Sequence, residues 1–343
     1  MGRDISGLFG KIMKGDRVAL GQAMTLVESE SPEDRIEAVQ LLELCQLQSI
    51  SKNKAIRLAI SGAPGVGKST LINAIGLKAV SQGSKVGVIT VDPSSSISRG
   101  SILGDKLRMP SLSLSPSAFI RSSAAGTVLG GIGRRSFELM SLLEATGYDL
   151  IFVETVGVGQ SEHIAWQLTD GFILIVQPGG GDELQGIKRG ITELADIIIV
   201  NKADAELKQM AASTRSQYQN AIHYLSPLRS DWDRKVLTCS AIEGNGIDEF
   251  WEVLRLYMDS HLKQDQTEAI RKRQNEFWLS WSLGITAHHL LMNHEEVKQK
   301  LAESQTKIKN QDDFIFKTEF EIEEIMKSLI KPYGKKNHLL HQE

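Results

Sequence analysis

Residues 62–69 read Gly-Ala-Pro-Gly-Val-Gly-Lys-Ser, directly after the apolar run Ile56–Ser61 and directly before the helix-like stretch Thr70–Val80. No other feature restricts the fold as strongly. In a strand–loop–helix setting, Gly62, Ala63, Pro64, Gly65, Val66 and Gly67 form a loop whose backbone N–H groups turn inward. The helix behind it adds further N–H donors and the positive end of its dipole, so the loop is built to hold phosphate oxygens. Lys68 is the residue to reach the β- and γ-phosphates. The Ser69 hydroxyl is the expected Mg²⁺ ligand, and Thr70 adds a phosphate contact.

Further short apolar runs follow at Val86–Val91, Leu150–Glu154, Phe172–Gln177, Ile197–Val200 and Val236–Cys239, separated by helix-length segments. They are nearly continuous rather than alternating, which suits strands buried on both faces with helices as crossovers. The predicted fold is α/β: a P-loop NTPase with a mostly parallel central sheet flanked by helices. In such sheets ligands bind beyond the carboxyl ends of the strands. Each polar motif here directly follows a strand. Residues 1–50 read as an N-terminal helical extension, 51–260 as the nucleotide-binding domain and 261–343 as a charged, C-terminal helical arm. In the first part, Ser31 and Pro32 mark a helix start. In the last, Asp265–Met292 and Glu295–Ile330 are expected long helices, broken at Asn293-His294.

Asn201-Lys202-Ala203-Asp204 follows the run Ile197–Val200. Guanine offers N1–H and an exocyclic amino group side by side, and one carboxylate, Asp204, accepts both. Adenine lacks that paired donor edge. Charge-assisted hydrogen bonds contribute roughly 1.5–3 kcal/mol each, enough to discriminate between the bases. The Lys202 stem can lie along the base and Asn201 can tie this loop to the phosphate loop. Ser240, Ala241 and Ile242, after the next run, can offer a backbone N–H to guanine O6.

Asp92 ends the second run, where a carboxylate is placed for Mg²⁺ directly or through water. Residues 93–117 hold nine serines and three prolines and read as a long functional loop that includes Asp105 and Arg108. Glu154 ends its strand in the same way, and Gly157 can set its N–H against the γ-phosphate. Loss of that phosphate would release the loop. Gln160 and His163 follow with no fixed role. Gln177-Pro-Gly-Gly-Gly181 continues through Asp182, Glu183, Gln185 and Lys188 and reads as a third loop on the nucleotide face.

These signatures together resemble the MeaB/ArgK-type GTPases, the methylmalonyl-CoA mutase-associated G proteins of the metallochaperone-like group. The resemblance rests on Gly62–Thr70, Val91–Ser95, Glu154–Glu162, Gln177–Gly186 and Asn201–Asp204, and it covers nearly the whole chain. It implies a GTPase chaperone of an adenosylcobalamin-dependent acyl-CoA mutase that gates cofactor loading and protects the mutase. It also implies a homodimer formed largely through the C-terminal arm, and slow hydrolysis of GTP to GDP until a partner accelerates it. Asp92, Asp105 and Glu154 match the family's metal-site acids. Asp182, Gln185 and Lys188 match its third switch loop, and Arg108 is the candidate arginine finger. Lys68, Glu154, Asp105, Arg108, Asp182 and Lys188 are thus the expected catalytic set.

Two rival classes remain. A P-loop kinase of a transport protein or small molecule need not select guanine, which Asp204 argues for. A metal-inserting GTPase calls for a Cys/His cluster, and Cys45 and Cys239 are the only cysteines. His288, His289 and His294 lack cysteine partners and read as helix or turn packing. The net charge of −3 argues against nucleic acid, leaving Arg271-Lys-Arg273 as a solvated face. Met1-Gly2 with Ser6 is too short a match to carry a myristoylation reading. No signal-peptide core and no apolar run of about 18 residues is seen, so a cytoplasmic location with no membrane contact is expected.

Overall fold

The computed structural model describes residues 2–49, 55–92, 108–124, 135–155, 157, 162–179, 189–204, 206–225, 232–261, 264–309 and 315–330. Seven strands form one sheet: β1 Ile56–Gly62, β2 Val86–Asp92, β3 Ala118–Ala124, β4 Leu150–Glu154, β5 Gly171–Val176, β6 Ile197–Val200 and β7 Lys235–Thr238. Every pairing is parallel, and the order across the sheet is β3-β2-β4-β1-β5-β6-β7. Strands β2 and β3 build outward from β1 on one side, β4 returns to lie between β2 and β1, and the chain then crosses to β5 on the other side. The crevice beyond β4, β1 and β5 is therefore the switch point where ligands bind in open parallel sheets. Strands β1, β4, β5 and β6 are buried along their whole length, which explains their nearly continuous apolar sequences.

Between the strands run α4 Lys68–Ser81, α5 Pro110–Leu114, α6 Ser136–Ala145, α7 Glu162–Leu168, α8 Arg189–Leu194, α9 Lys208–His223 and α10 Ile247–His261. One face of the sheet packs Leu58, Ile60, Val88, Phe152 and Ile173 against Leu71, Ile72 and Ile75 of α4 and Phe250, Leu254 and Tyr257 of α10. This core fixes the direction in which α4 leaves the phosphate loop.

The sequence shows no sign of β3. Phe119 and Ile120 are its only large apolar residues, because it is an edge strand bonded on one side to β2 alone. Three helices precede the sheet, α1 Ile5–Met13, α2 Arg17–Glu28 and α3 Pro32–Ser49, and α2 reaches β3 with its charged side chains. Arg121 of β3 donates through Nε to Glu28 Oε2 at 2.9 Å, and through Nη2 to Thr25 Oγ1 at 3.3 Å. A charged cover of this kind is how exposed sheet edges are kept from pairing further. Helices α1 and α2 start on aspartates: Asp4 accepts from Gly7 N at 2.8 Å, and Asp16 from Val18 N at 2.9 Å and Ala19 N at 3.0 Å.

The chain divides into two compact units, Met1–Phe277 and Trp278–Glu343. Helix α11, Gln264–Met292, begins in the first and ends in the second. It stops before Asn293-His294, as expected, and is followed by α12 Glu295–Lys309 and α13 Ile315–Ile330. The second unit has a small buried centre of its own at Val297 and Ser304. The functional division at 50 and 260 remains our proposal.

One sequence reading is corrected. Lys272 and Arg273 are exposed, but Arg271 is buried. Its guanidinium pairs with Asp170, donates to Ala55 O at 2.6 Å and lies 3.6 Å from Glu144. Gln274, one turn on, donates to Asp170 Oδ1 at 3.0 Å. Arg57 completes the cluster by pairing with Glu144 and donating its backbone N–H to Asp170 Oδ2 at 2.8 Å. Two cations meet two anions, so the buried charge is balanced. The root of α11 is thereby clamped to the starts of β1 and β5, at the end of the sheet away from the phosphate loop.

Candidate functional site

Gly62 ends β1 and Lys68 begins α4, so the loop between them lies at the carboxyl edge of the sheet. Gly67 occupies the N-cap position with φ of 95° and brings no side chain to cap the helix. The first-turn N–H groups of α4 have no carbonyl within the helix to bond, the arrangement that binds anions. A Cβ on Gly67 would lie 2.5 Å from Asn201 Nδ2, so both backbone and space require glycine there. The Lys68 ammonium is buried and donates to Gly62 O at 2.9 Å and Ala63 O at 3.3 Å, which places a cation inside the loop. Pro64, Gly65 and Thr70 are exposed at its rim, while Val66 is buried beneath it.

Ser69 donates to Glu154, at 2.9 Å from Oε1 and 3.1 Å from Oε2. Glu154 is buried at the end of β4. Asp92 ends β2 two residues beyond Thr90, the register partner of Glu154, so both acids belong to the same strand-end edge. The donors are a hydroxyl and carboxylates, all hard oxygens, and they fit Mg²⁺, which takes one or two carboxylates together with substrate phosphates. Among the described residues no group of three or more His, Cys, Asp or Glu could hold a metal by itself. Burial pushes the thiols of Cys45 and Cys239 up to about 12, so both stay protonated and are poor ligands for a soft metal.

Asn201, buried after β6, is a bridge. Its Nδ2 donates to Val66 O of the phosphate loop at 2.9 Å, and its Oδ1 accepts from Ala241 N at 3.2 Å. The phosphate loop, the 201–204 loop and the 240–242 loop are thus tied into one site, the first of these links as the sequence suggested. Lys202 has φ of 59°, the single positive φ among the described non-glycine residues. Such backbone strain collects at functional loops. Asp204 Oδ1 accepts a hydrogen bond from Ser240 Oγ, and Ser240 Oγ in turn accepts from Glu243 N at 3.1 Å. Ser240 therefore orients the carboxylate, a role its sequence position did not disclose. Ile242 is exposed beside it.

Gly157 has φ of 82°, and a Cβ there would sit 2.1 Å from Gly62 O and 3.5 Å from Lys68 Nζ. It thus lies against the phosphate loop. Arg108 is exposed just before α5. Asp105, Asp182, Gln185, Lys188 and Gln160 lie outside the described residues, while Gly179 donates its N–H to Thr214 Oγ1 of α9 at 3.1 Å.

The family model described as methylmalonyl Co-A mutase-associated GTPase MeaB matches residues 20–299. A protein of Caulobacter vibrioides called a putative GTPase is 44% identical over 280 residues, covering 82% of this chain and 84% of its own. The Escherichia coli GTPase ArgK is 43% identical over 269 residues, 78% of this chain and 80% of its own. The mouse methylmalonic aciduria type A homolog is 40% identical over 288 residues, 82% and 69% respectively. A crystal structure named LAO/AO transport system kinase superposes with a TM-score of 0.71 at 32% identity, covering 95% of this chain and 99% of its own. With a phosphate loop, an acidic strand end beside it and the 201–204 loop tied to the phosphate loop through Asn201, the chain belongs to the MeaB family of methylmalonyl Co-A mutase-associated GTPases.

Proposed function

We propose that this protein uses GTP binding and hydrolysis to act as a chaperone of an adenosylcobalamin-dependent acyl-CoA mutase, most directly methylmalonyl-CoA mutase, gating cofactor loading and protecting the enzyme. The observation that carries the nucleotide part is the Asn201 bridge, which joins the phosphate loop and the base loops. In this reading Asp204 accepts the paired guanine donors, the Lys202 stem covers the base and a backbone N–H of 240–242 meets O6. Lys68 turns from its two carbonyls to the β- and γ-phosphates. Ser69, Glu154, Asp92 and Asp105 hold Mg²⁺, which neutralises phosphate charge. Arg108, Asp182 and Lys188 complete the catalytic set when the partner is bound, so hydrolysis by the isolated protein is slow.

The mutase partnership rests on the family description. The homodimer reading draws on α11, where Leu279, Leu283 and Leu290 are 61%, 59% and 67% exposed and follow a heptad-like spacing. Such a seam suits a second helix. Among the described residues no helix is long and apolar enough to cross a membrane. The cytoplasmic reading draws on the two protonated, unbridged thiols.

The test is co-purification of the full chain with methylmalonyl-CoA mutase in the presence of GDP, of a non-hydrolysable GTP analogue, and of neither. Capture that depends on the nucleotide supports the chaperone reading, and no capture in any state refutes it. The rival reading, phosphorylation of a transport protein, draws only on the name of the superposed crystal structure. A kinase of a transport protein or small molecule requires the γ-phosphate to appear on that substrate rather than as inorganic phosphate.

A further inference from the structure

Glu162 is 1% exposed, and so is Ser61. Ser61 is the last residue before the phosphate loop, and its hydroxyl donates to Glu162 Oε1 at 3.4 Å. A buried carboxylate so close to a site for phosphates needs a physical reason, since desolvating the charge is unfavourable and a second negative group nearby repels it. Residues on either side of it supply one. Thr155 donates its N–H to Ile60 O at 3.0 Å, Gly157 abuts Gly62 O, and Glu162 accepts from Ser61. Three consecutive residues of β1, Ile60, Ser61 and Gly62, thus each meet one point of the stretch from β4 to α7. Gly62 O is also the carbonyl that holds Lys68 Nζ.

We propose that Glu162 is a positioning residue. Through Ser61 it fixes the start of α7, and with Thr155 it sets Gly157 at the distance from the phosphate loop that distinguishes GTP from GDP. Glu162 touches neither nucleotide nor metal in this role. The acceptor oxygen is what matters, because the Ser61 hydroxyl can be satisfied by an amide as well as by a carboxylate. The inference rests on the GTPase reading above, with Gly157 as the contact to the γ-phosphate.

The test compares the affinity of the full chain for GDP and for a non-hydrolysable GTP analogue, with single-turnover GTP hydrolysis alongside. Ser61→Ala and Glu162→Ala should each weaken the GTP analogue about tenfold and slow hydrolysis similarly, while GDP affinity stays within about twofold. Glu162→Gln should stay near wild type, and the double alanine variant should be no worse than either single one, since both remove the same link. Should Glu162→Ala fail to fold, Ser61→Ala and Glu162→Gln carry the comparison. Equal losses for both nucleotides, an unchanged GTP-to-GDP preference, or additive effects would overturn the proposal. A wild-type chain that binds neither nucleotide would instead refute the GTPase reading itself.

Discussion

In the proposed function Asp204 and Gly157 do most to set which nucleotide is held and in which state. The Asp204 carboxylate is oriented by Ser240 Oγ at Oδ1, and its two oxygens keep lone pairs for the two guanine donors. Asp204→Asn replaces one acceptor by a donor and should cost GTP at least tenfold in affinity, the equivalent of a single charge-assisted bond, while xanthine nucleotide gains. Titration with both nucleotides checks this, and undiminished GTP affinity would refute the base assignment. Gly157→Ala places a methyl against Gly62 O on a backbone with positive φ. We expect GTP hydrolysis to fall about a hundredfold, as when one donor to a developing charge is lost, with GDP affinity far less affected. Both residues stood out in the sequence because each belongs to a motif that begins at the end of an apolar run. Ser240 and Ser61 were not, since a serine at a strand end has no pattern that reveals what its hydroxyl faces.

Elements differ in how plainly the sequence declared them. Strands β1, β4, β5 and β6 are buried on both faces and announce themselves as nearly continuous apolar runs. Edge strand β3 pairs on one side, carries Arg121, and is invisible to the same reasoning. The buried cluster at the root of α11 was hidden for another reason: Arg271 and Asp170 are 101 residues apart, and no periodicity links them. Removing one partner of a buried ion pair leaves the other uncompensated. Asp170→Asn should therefore destabilise the first unit by about 3 kcal/mol, measured by denaturant unfolding, whereas exposed Lys272→Ala should change little.

The same cluster sets an acid limit. Burial pushes the Asp170 and Glu144 carboxyls up, but the Arg271 and Arg57 charges outweigh it and hold both below the usual carboxylate range. A depressed folded-state pKa contributes stability that is fully present above the unfolded value of about 4 and is lost as pH falls below it. The melting temperature should hold from neutral pH to about pH 5 and drop below about pH 4. Asp170→Asn should flatten part of that drop; an unchanged acid slope in this variant would show that other carboxylates set it.

At the scale of the whole molecule, the nucleotide site lies at one end of the sheet and the clamped root of α11 at the other, both reached through β1 and β5. Beyond Phe277 the arm exposes Leu279, Leu283 and Leu290. Replacing all three by glutamate should convert a dimer to a monomer by sedimentation while leaving nucleotide affinity of the first unit intact. A protein that is monomeric before the change would refute the dimer reading. The sequence marked this arm by its charge and helical period, but its meagre apolar content did not say which residues a partner covers. The central claim, a GTPase that answers to a mutase, is tested most directly by phosphate release from the full chain, with GTP and with ATP, alone and with saturating methylmalonyl-CoA mutase. The account predicts slow release from GTP, at least tenfold faster with the mutase, and almost none from ATP. Equal turnover of ATP, or a GTP rate indifferent to the mutase, would contradict it.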